Sequence, residues 1–428
     1  MNIRTNKGGA LMNFSQIASK LRHKITQFSG ELSKNLDKTC RRFVSESIYG
    51  ILSKESVILS EIGRSLSGSV SLKKIEERLC RQIAKPQIKN QIHQQIARLA
   101  SGQIADDTLL VLDLSDVTKK YAHSMEYMAQ VRDGSEGVVT HGYWTVNIAA
   151  TSLNSDQIIP LYHWLYSQNA PGFESENDEI LQAIQHIAKH TSNRGIWVMD
   201  RGADRETIIL PLLRKKRRFI IRMVGNRDLL CGNSKASVLA LAHQCSCPYS
   251  DLVIRMHDGK EQVYRIEYGY LQVHMPERPD IPLYLLVVKG FGEKPMMLLT
   301  SIPLRRNRRI LNRILRSYIK RWSIEETIRF LKQSYDFENI RVLSYIRLQN
   351  MAALLLAAIY FVAAVLDSAS KLKILTSHIL QASKRIFGIP DFKYYAISDG
   401  LNNIFNRCPG EIKIPLKTKP KQCALDFG

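Results

Sequence analysis

The sequence predicts an α/β protein in which an all-helical N-terminal domain precedes a sheet-containing core. Three observations support this class. Residues 16–100 show the hydrophobic periodicity of helices only. Residues 109–224 alternate short apolar runs, typical of buried strands, with amphipathic helical stretches. Residues 226–300 consist mainly of β-like segments, which predicts a β-rich insertion before the chain becomes strongly helical again.

The N-terminal domain is predicted to be a small basic helical bundle. Residues 1–15 carry no pattern and are expected to be disordered. Helical periodicity covers 21–32, 46–66 and 72–83. Pro86 ends the last of these helices. The polar faces are rich in Lys and Arg, which favours binding to duplex DNA over a purely packing or dimerising role.

Two aspartates stand at the ends of apolar strands in the core. The run LLVLDL at 109–114 delivers Asp113, and the run GIWVMD at 195–200 ends on Asp200. The remaining predicted elements are strands at 142–152, 158–166 and 219–224 and helices at 177–190 and 204–214. If the two acid-bearing strands are neighbours, their carboxylates meet at one edge of the sheet.

A third carboxylate lies in the helical stretch 316–332, which reads RSYIKRWSIEETIRFLK. On one continuous helix, with about 100° per residue, Tyr318, Arg321, Glu325 and Lys332 share a face. An apolar stripe beside them would anchor the helix on the core. Its members are Ile324, Ile328 and Leu331. The alternative is a solvated face with an i,i+4 ion pair between Arg321 and Glu325.

Asp116 and Asp204 are the nearest rivals to the two aspartates. We expect Asp116 to lie beyond the end of its strand and Asp204 to cap the following helix. Three carboxylates from two strands and a helix suit two Mg²⁺ ions, which promote phosphoryl transfer when held about 4 Å apart. Neighbouring Arg and Lys side chains would hold the substrate phosphates.

The charge of the chain points to a nucleic-acid partner. It has 61 Lys and Arg against 39 Asp and Glu, a formal net charge of +22. Dense basic clusters occur at 214–218 and 305–321. An anionic membrane would need a cationic helix with a large apolar face, and here cations occur on nearly every side. The apolar run 351–366 is shorter than the ~20 residues of a membrane span, so we predict a core helix and no membrane partner.

Cysteine usage bears on the compartment. The seven cysteines are odd in number and spread over the whole chain, so they do not form a disulfide framework. No secretory signal is visible at the N-terminus. We therefore expect a cytoplasmic, nucleoid-associated protein.

The spacing Tyr318-x-x-Arg321-x-x-x-Glu325-x-x-x-x-x-x-Lys332 resembles the Tyr-Arg-Glu-Lys signature of a bacterial family, the DDE insertion-sequence transposases of family four. Asp113 in LDLSDVTK and Asp200 in VMDRGAD correspond to the two other acids of that family. The β-rich insertion before the glutamate also fits, and the resemblance covers roughly residues 100–370.

The resemblance implies an RNase H-like catalytic core, with Asp113, Asp200 and Glu325 as catalytic residues and ligands of two Mg²⁺ ions, for which Mn²⁺ can substitute. It implies that Tyr318, Arg321 and Lys332 contact DNA. The implied activity is cut-and-paste transposition, with cleavage at terminal inverted repeats and strand transfer into target DNA. A homodimer in a synaptic complex is the implied assembly.

The resemblance also divides the chain into segments. These are a disordered start (1–15), a helical DNA-binding domain (16–100), the first part of the core (101–225), the β-rich insertion (226–300), the second part of the core with the catalytic helix (301–370) and a helical C-terminal segment (371–428). Hairpin-forming relatives hold a flipped base against an aromatic residue of the insertion. Tyr264, Tyr268 and Tyr270 are the candidates here, since 226–300 has no tryptophan.

Two other functions compete with an active transposase. One is a transposase-derived DNA-binding protein that no longer cuts, which the three acids argue against. The other is a metal-dependent nuclease without strand transfer, for which the basic N-terminal domain would be an unnecessary addition.

Overall fold

The computed structural model describes residues 14–413 apart from 67, 69, 120–121, 123, 135, 258–259, 341, 367–376 and 381–392. The side chains of 255–262, 323–324, 326 and 331–333 are also outside the description. The N-terminal residues that we expect to be disordered therefore lie mostly outside the described residues. The same is true of most of the predicted C-terminal segment.

The described elements, in chain order, confirm the mixed α/β class. The helices are α1 (Phe14–Leu32), α2 (Lys38–Lys54), α3 (Leu59–Ser65), α4 (Leu72–Ile83), α5 (Gln87–Ala100), α6 (Glu176–Thr191), α7 (Glu206–Arg214), α8 (Val238–Gln244), α9 (Arg308–Ile319), α10 (Trp322–Ser334), α11 (Tyr345–Tyr360) and α12 (Tyr394–Arg407). The strands are β1 (Leu109–Thr118), β2 (Ala129–Arg132), β3 (Val139–Ser152), β4 (Ser155–Tyr166), β5 (Ile196–Met199), β6 (Arg218–Arg222), β7 (Asp228–Cys231), β8 (Ser234–Ser237), β9 (Tyr249–His257), β10 (Lys260–Met275), β11 (Arg278–Lys289) and β12 (Met296–Thr300).

The chain divides into two compact units. The helical unit comprises Met1–Ile96, Tyr121–Glu126 and Phe330–Gly428, and the sheet unit comprises Ala97–Lys120 and Tyr127–Arg329. The segment boundaries expected from the sequence stay predictions.

Helices α1 to α4 of the helical unit lie where helical periodicity was predicted, but α1 and α2 begin seven and eight residues earlier than predicted, at Phe14 and Lys38. The helix expected at 46–66 is two helices, because Glu55 takes a left-handed conformation (φ 49°, ψ 40°) and ends α2. Asp37 caps α2 by accepting a hydrogen bond from the Cys40 N–H at 2.8 Å. A buried carboxylate, Glu46, then joins α2 to α4 by accepting hydrogen bonds from Arg78.

Helix α11 is the apolar helix of this unit. Residues 345–365 are long and apolar enough to cross a membrane, yet 348–364 are all buried inside the protein, as expected for a core helix. The buried Asn350 fastens α11 to the α4–α5 corner. Its Nδ2 donates to the carbonyls of Ile83 (2.6 Å) and Lys85 (2.9 Å), and its Oδ1 accepts from the Lys89 N–H (3.0 Å).

The sheet unit is built on one mixed sheet, which has twelve strands among the described residues. Its first part runs in the order β4-β3-β1-β5-β6. Strand β1 pairs antiparallel with β3 and parallel with β5, and β5 pairs parallel with β6. The predicted adjacency of the two acid-bearing strands is therefore confirmed.

The predicted β-rich insertion continues the same sheet. Strand β12 pairs with β6, and β11, β10 and β7 follow in order, with β9 paired to β10 at the edge. A short helix, α8, is the exception to the β pattern. The described part of 226–300 thus extends the core sheet and does not form a separate layer.

Candidate active site

Asp113 and Asp200 lie side by side at one edge of the parallel part of the sheet. The parallel pairing of β1 with β5 ends at Leu112 and Met199. Asp113 and Asp200 are the next residues along the two strands. Neighbouring strands are about 4.8 Å apart. The carboxylates of both residues therefore emerge at the same edge, as the sequence predicts.

Strand β1 is longer than predicted, so Asp113 stands in its middle and not near its end. The strand continues to Thr118 because it pairs with β3 along its whole length. Asp116 is consequently inside the strand, opposite Trp144, and the expectation that it lies beyond the end is wrong. Side chains alternate along a strand, so Asp116 projects from the face opposite to that of Asp113.

Asp200 begins a short turn and Asp204 fastens it. The Asp200 Oδ1 accepts a hydrogen bond from the Gly202 N–H at 2.8 Å. Asp204 does not cap α7, as had been expected: its carboxylate accepts from the Val224 N–H (2.8 Å) and from Arg227 Nε (2.6 Å). Only 1% of the Asp204 side chain is exposed, so these bonds anchor the turn that follows Asp200.

The helix expected at 316–332 is two helices. Helix α9 ends at Ile319, and at the turn the Arg321 N–H bonds to the Tyr318 carbonyl three residues back (3.0 Å). The face computed for one continuous helix is therefore wrong. Lys332 lies in α10, and its side chain, like those of Ile324 and Leu331, is outside the described side chains.

Arg321 occupies this turn and contacts two of the three predicted acids. Its Nη1 is 3.7 Å from Asp113 Oδ2, and its Nη2 donates to Glu325 Oε1 at 2.9 Å. The side chain of Arg321 is 9% exposed, whereas that of Glu325 is 49% exposed. A buried guanidinium thus joins the middle of β1 to the first turn of α10.

Tyr318 supports Arg321 from the last turn of α9. Its ring is fully buried, and its centroid is 5.8 Å from the Arg321 Cζ. Neither the Tyr318 hydroxyl nor the Arg321 Nε has a hydrogen-bond partner in the part of the chain that the structure describes. Tyr318 is thus placed to pack against the arginine rather than to reach a ligand directly.

The charges at this site are strongly coupled. Burial raises the pKa of the Asp113 carboxyl to about 7, against the opposing effect of Arg321, and the charges of Asp200 and Glu325 add to the increase. Burial alone would lower the pKa of Arg321, but the neighbouring Asp113, Tyr318, Glu325 and Asp200 raise it. Asp113, Asp200, Glu325 and Arg321 therefore form one electrostatic cluster.

The donor chemistry of this cluster fits a hard divalent cation. Carboxylate oxygens are the ligands that Mg²⁺ and Mn²⁺ prefer. Burial is the main cause of the raised pKa of Asp113, and a divalent cation would relieve the added repulsion from Asp200 and Glu325. Among the described residues, however, no three His, Cys, Asp or Glu side chains form a ready-made metal-binding group. Arg321 supplies the positive charge between Asp113 and Glu325 in this arrangement.

The sequence interpretation missed two polar residues beside Asp113. Asn147 on β3 lies opposite Asp113 on β1, and His163 on β4 lies opposite Asn147. The His163 Nδ1 and the Asn147 Oδ1 are 2.6 Å apart, and both side chains are buried. The signal in the sequence was one polar residue inside each of two apolar strands. That the two residues face each other and Asp113 can be recognised only once the pairing register of the strands is known.

The three tyrosines that are candidates for stacking on a flipped base differ in how deeply they are buried. Tyr268 is fully buried and its hydroxyl donates to Asp251 Oδ2 at 2.6 Å, so it does not offer a face to a nucleotide. Tyr264 and Tyr270 are partly exposed on β10. Tyr264 packs against Phe291, with ring centroids 5.6 Å apart.

Comparisons with known proteins were made for the sequence and for the fold. Residues 143–361, just over half of the chain, match the transposase DDE domain family, a range that contains Asp200, Arg321 and Glu325 and begins after Asp113. The fold is similar to that of the piggyBac transposase in a synaptic complex with hairpin DNA, with 10% sequence identity and a TM-score of 0.46. The similarity covers 96% of this chain and 87% of that chain. No curated protein matches the sequence.

Proposed function

The chain belongs to the transposase DDE domain family, and on that premise we propose that it performs cut-and-paste transposition of an insertion sequence. It binds the terminal inverted repeats, hydrolyses phosphodiester bonds there and transfers the freed strands to target DNA. The observation that carries this proposal is the cluster of Asp113 and Asp200 on adjacent strands with Glu325 joined to it through Arg321.

Asp113, Asp200 and Glu325 are the proposed metal ligands. They would hold two Mg²⁺ ions, or Mn²⁺ in their place, which when bound activate the attacking oxygen and stabilise charge on the leaving oxygen. The protein's own contribution is to fix the carboxylates on rigid elements. Asp113 lies within β1, Asp200 directly follows the paired strand β5, and the Asp204 anchor holds the turn after Asp200.

Arg321 is proposed to exchange partners during the reaction. With the carboxylates neutralised by cations, its guanidinium is free to hold a substrate phosphate, for which its planar fork is suited. The buried ring of Tyr318 would keep Arg321 at the turn. Lys332 stays a predicted DNA contact. Tyr318 was predicted to contact DNA as well, and its burial supports a positioning role for it.

The finer fold assignment is also a proposal. The strand order β4-β3-β1-β5-β6, with three antiparallel strands followed by two parallel additions, supports an RNase H-like core. The spacing from Tyr318 to Lys332 supports the insertion-sequence subgroup with the Tyr-Arg-Glu-Lys signature. The net charge of +22 supports duplex DNA as the partner. A homodimer at the synaptic stage and a nucleoid-associated cytoplasmic location complete the proposal.

Two alternatives are separated by one assay. Purified protein is incubated with Mg²⁺ and a DNA fragment carrying the repeats that flank its own gene, beside the Asp113→Ala variant. An active transposase nicks the fragment or forms hairpins at the repeat boundary, and the variant does not.

The other outcomes identify the competing functions. Retardation of the fragment without cleavage, in Mn²⁺ as well as Mg²⁺, would indicate a transposase-derived binding protein. Cleavage spread along the fragment, with no preference for the repeat boundary, would indicate a nuclease without strand transfer.

A further inference from the structure

Helix α9 carries a line of cations that leads to the candidate active site. Arg309, Arg313, Arg316 and Lys320 follow one another at intervals of four, three and four residues. At about 100° per residue they fall within about 60° of one another around the helix. The first and last are eleven positions apart, or about 16 Å at 1.5 Å per residue. We call these four residues the α9 cation row.

The row projects away from the core. The buried apolar side chains of α9 lie on the opposite side of the helix and are Leu311, Ile314, Leu315 and Tyr318. Arg309, Arg313 and Arg316 are exposed, and Lys320 is half-buried. The residue after Lys320 is Arg321, which contacts Asp113. One end of the row therefore adjoins the carboxylate cluster.

The acids near the row do not neutralise it. Arg313 is 3.6 Å from Asp107, and Lys320 is 3.3 Å from Asp156. Both acids are well exposed, and such surface pairs contribute little stability, about 0 to 1 kcal/mol. Arg309 and Arg316 have no acidic partner among the described residues. Phosphates could therefore replace these weak pairs at small cost.

The position of the row disfavours a purely stabilising role. Arg309 is in the first turn of α9, which contains no acidic residue, although the positive end of a helix dipole is destabilised by cations. Like charges three or four residues apart on a helix also repel each other. Arg308, by contrast, is used structurally, since it bonds to Asp251 and to the Ser250 carbonyl. The unpaired arginines cost stability, which a charged ligand would offset.

We propose that the α9 cation row binds the phosphates of one strand of duplex DNA and guides that strand to the carboxylate cluster. This inference rests on the proposed function. The length of about 16 Å is comparable to the stretch of backbone that a few successive phosphates of one strand occupy. The contacts are to the backbone, so the row adds affinity equally for all sequences.

The test is the salt dependence of binding to a random-sequence DNA duplex of 30 base pairs, measured by fluorescence anisotropy in EDTA. The full chain is compared with the triple variant Arg309→Gln, Arg313→Gln, Arg316→Gln. Each lost phosphate contact lowers the salt slope by about 0.9, so the slope should fall by about 2 to 3. Affinity at 0.1 M salt should fall about tenfold or more.

Two controls test whether the effect comes from the charge of the α9 cation row or from the total charge of the protein. The triple variant Lys189→Gln, Lys235→Gln, Lys294→Gln removes three exposed cations that lie outside both basic clusters of the chain and should leave the slope close to that of the wild type. The variant with Arg309, Arg313 and Arg316 each changed to Lys keeps the charge and should keep the slope. The melting temperature of the Gln variant of the row should stay the same or rise, because mutual repulsion is removed.

An unchanged slope for the Gln variant of the row would overturn the proposal, as would an equal fall for the control variant at Lys189, Lys235 and Lys294. Loss of the slope in the Lys variant would equally reject a role based on charge. These outcomes are independent of cleavage. Failure of the wild-type protein to cut DNA would count against the proposed function alone.

Discussion

Arg321 lies against Asp113, with 3.7 Å between its Nη1 and the aspartate Oδ2, in the turn that separates α9 from α10. The guanidinium is also hydrogen-bonded to Glu325, so it is the positive partner of two acids that would otherwise repel each other. The same arginine therefore links the stability of the site without metal to the affinity of the site for a cation.

Arg321→Gln should make the protein more responsive to divalent cations. Without the guanidinium the carboxylates lose their internal counter-ion, so the melting temperature in EDTA at pH 8 should fall. Added Mn²⁺ should then raise the melting temperature by more in the variant than in the wild type. Arg214→Gln, an exposed arginine of α7, serves as the control and should behave like the wild type. An equal metal-induced rise in all three proteins would contradict the account.

From the raised pKa of Asp113 we predict a specific pH dependence of the protein's stability in EDTA. Burial raises its pKa to about 7, above the value of about 4 in an unfolded chain. Between these values the folded protein holds the proton more tightly, so stability falls as pH rises from about 4 through 7. The loss attributable to this group is about 2 to 4 kcal/mol.

Asp113→Asn should remove that part of the pH dependence. Denaturant unfolding at pH 5 and pH 8 measures it, and the variant should lose less stability than the wild type between the two values. Asp106→Asn, whose side chain is well exposed, is the matched control and should not change the pH dependence. The same loss in the Asp113 variant as in the wild type would show that another group is responsible.

Asp204→Ala should destabilise the sheet unit and weaken the site indirectly. Its buried carboxylate accepts from Arg227 and from the Val224 N–H, and removing it leaves a mostly buried cation without its partner. The expected cost is about 3 kcal/mol by denaturant unfolding. Asp280→Ala breaks an exposed ion pair with Arg278 and should leave the melting temperature unchanged. Similar effects of the two substitutions would contradict the anchoring role.

Asn350→Ala should destabilise the helical unit. The buried side chain makes three hydrogen bonds to backbone groups at the ends of α4 and α5, one of them fully buried and two partly buried. Losing them leaves buried backbone groups unpaired, at a cost of about 2 to 4 kcal/mol by denaturant unfolding. Asn406→Ala removes an exposed asparagine of α12 and is the control. A stability change below 1 kcal/mol for Asn350→Ala would show that water replaces these bonds.

The sequence was sufficient to place Asp113 and Asp200 on two buried strands, and it predicted their meeting on the condition that these strands are neighbours, which they are. Both residues follow continuous apolar runs, and such runs indicate strands buried on both faces, which pair in parallel sheets. The β-rich character of 226–300 was also predictable from its local pattern. The pairing of β12 with β6 could not be predicted, because strands that are distant in sequence leave no local signal of their pairing.

The break between α9 and α10 marks the limit of the helical pattern. Residues 316–332 have neither Pro nor Gly, so nothing local predicts a turn at Lys320. The turn arises where Tyr318 is buried and Arg321 reaches Asp113. The i,i+4 contact of Arg321 with Glu325 was predictable and is present. The polar pair of Asn147 and His163 could be recognised only after the strand register was known.

The central claim is that Glu325, with Asp113 and Asp200, forms a metal-dependent site that cuts DNA. The most direct test is nicking of the repeat-bearing fragment in Mg²⁺ by Glu325→Gln, beside Glu206→Gln, which changes an exposed glutamate of α7. The account predicts that Glu325→Gln binds the fragment as the wild type does but does not nick it, while Glu206→Gln does both. Undiminished nicking by Glu325→Gln would contradict the claim and remove this residue from the site.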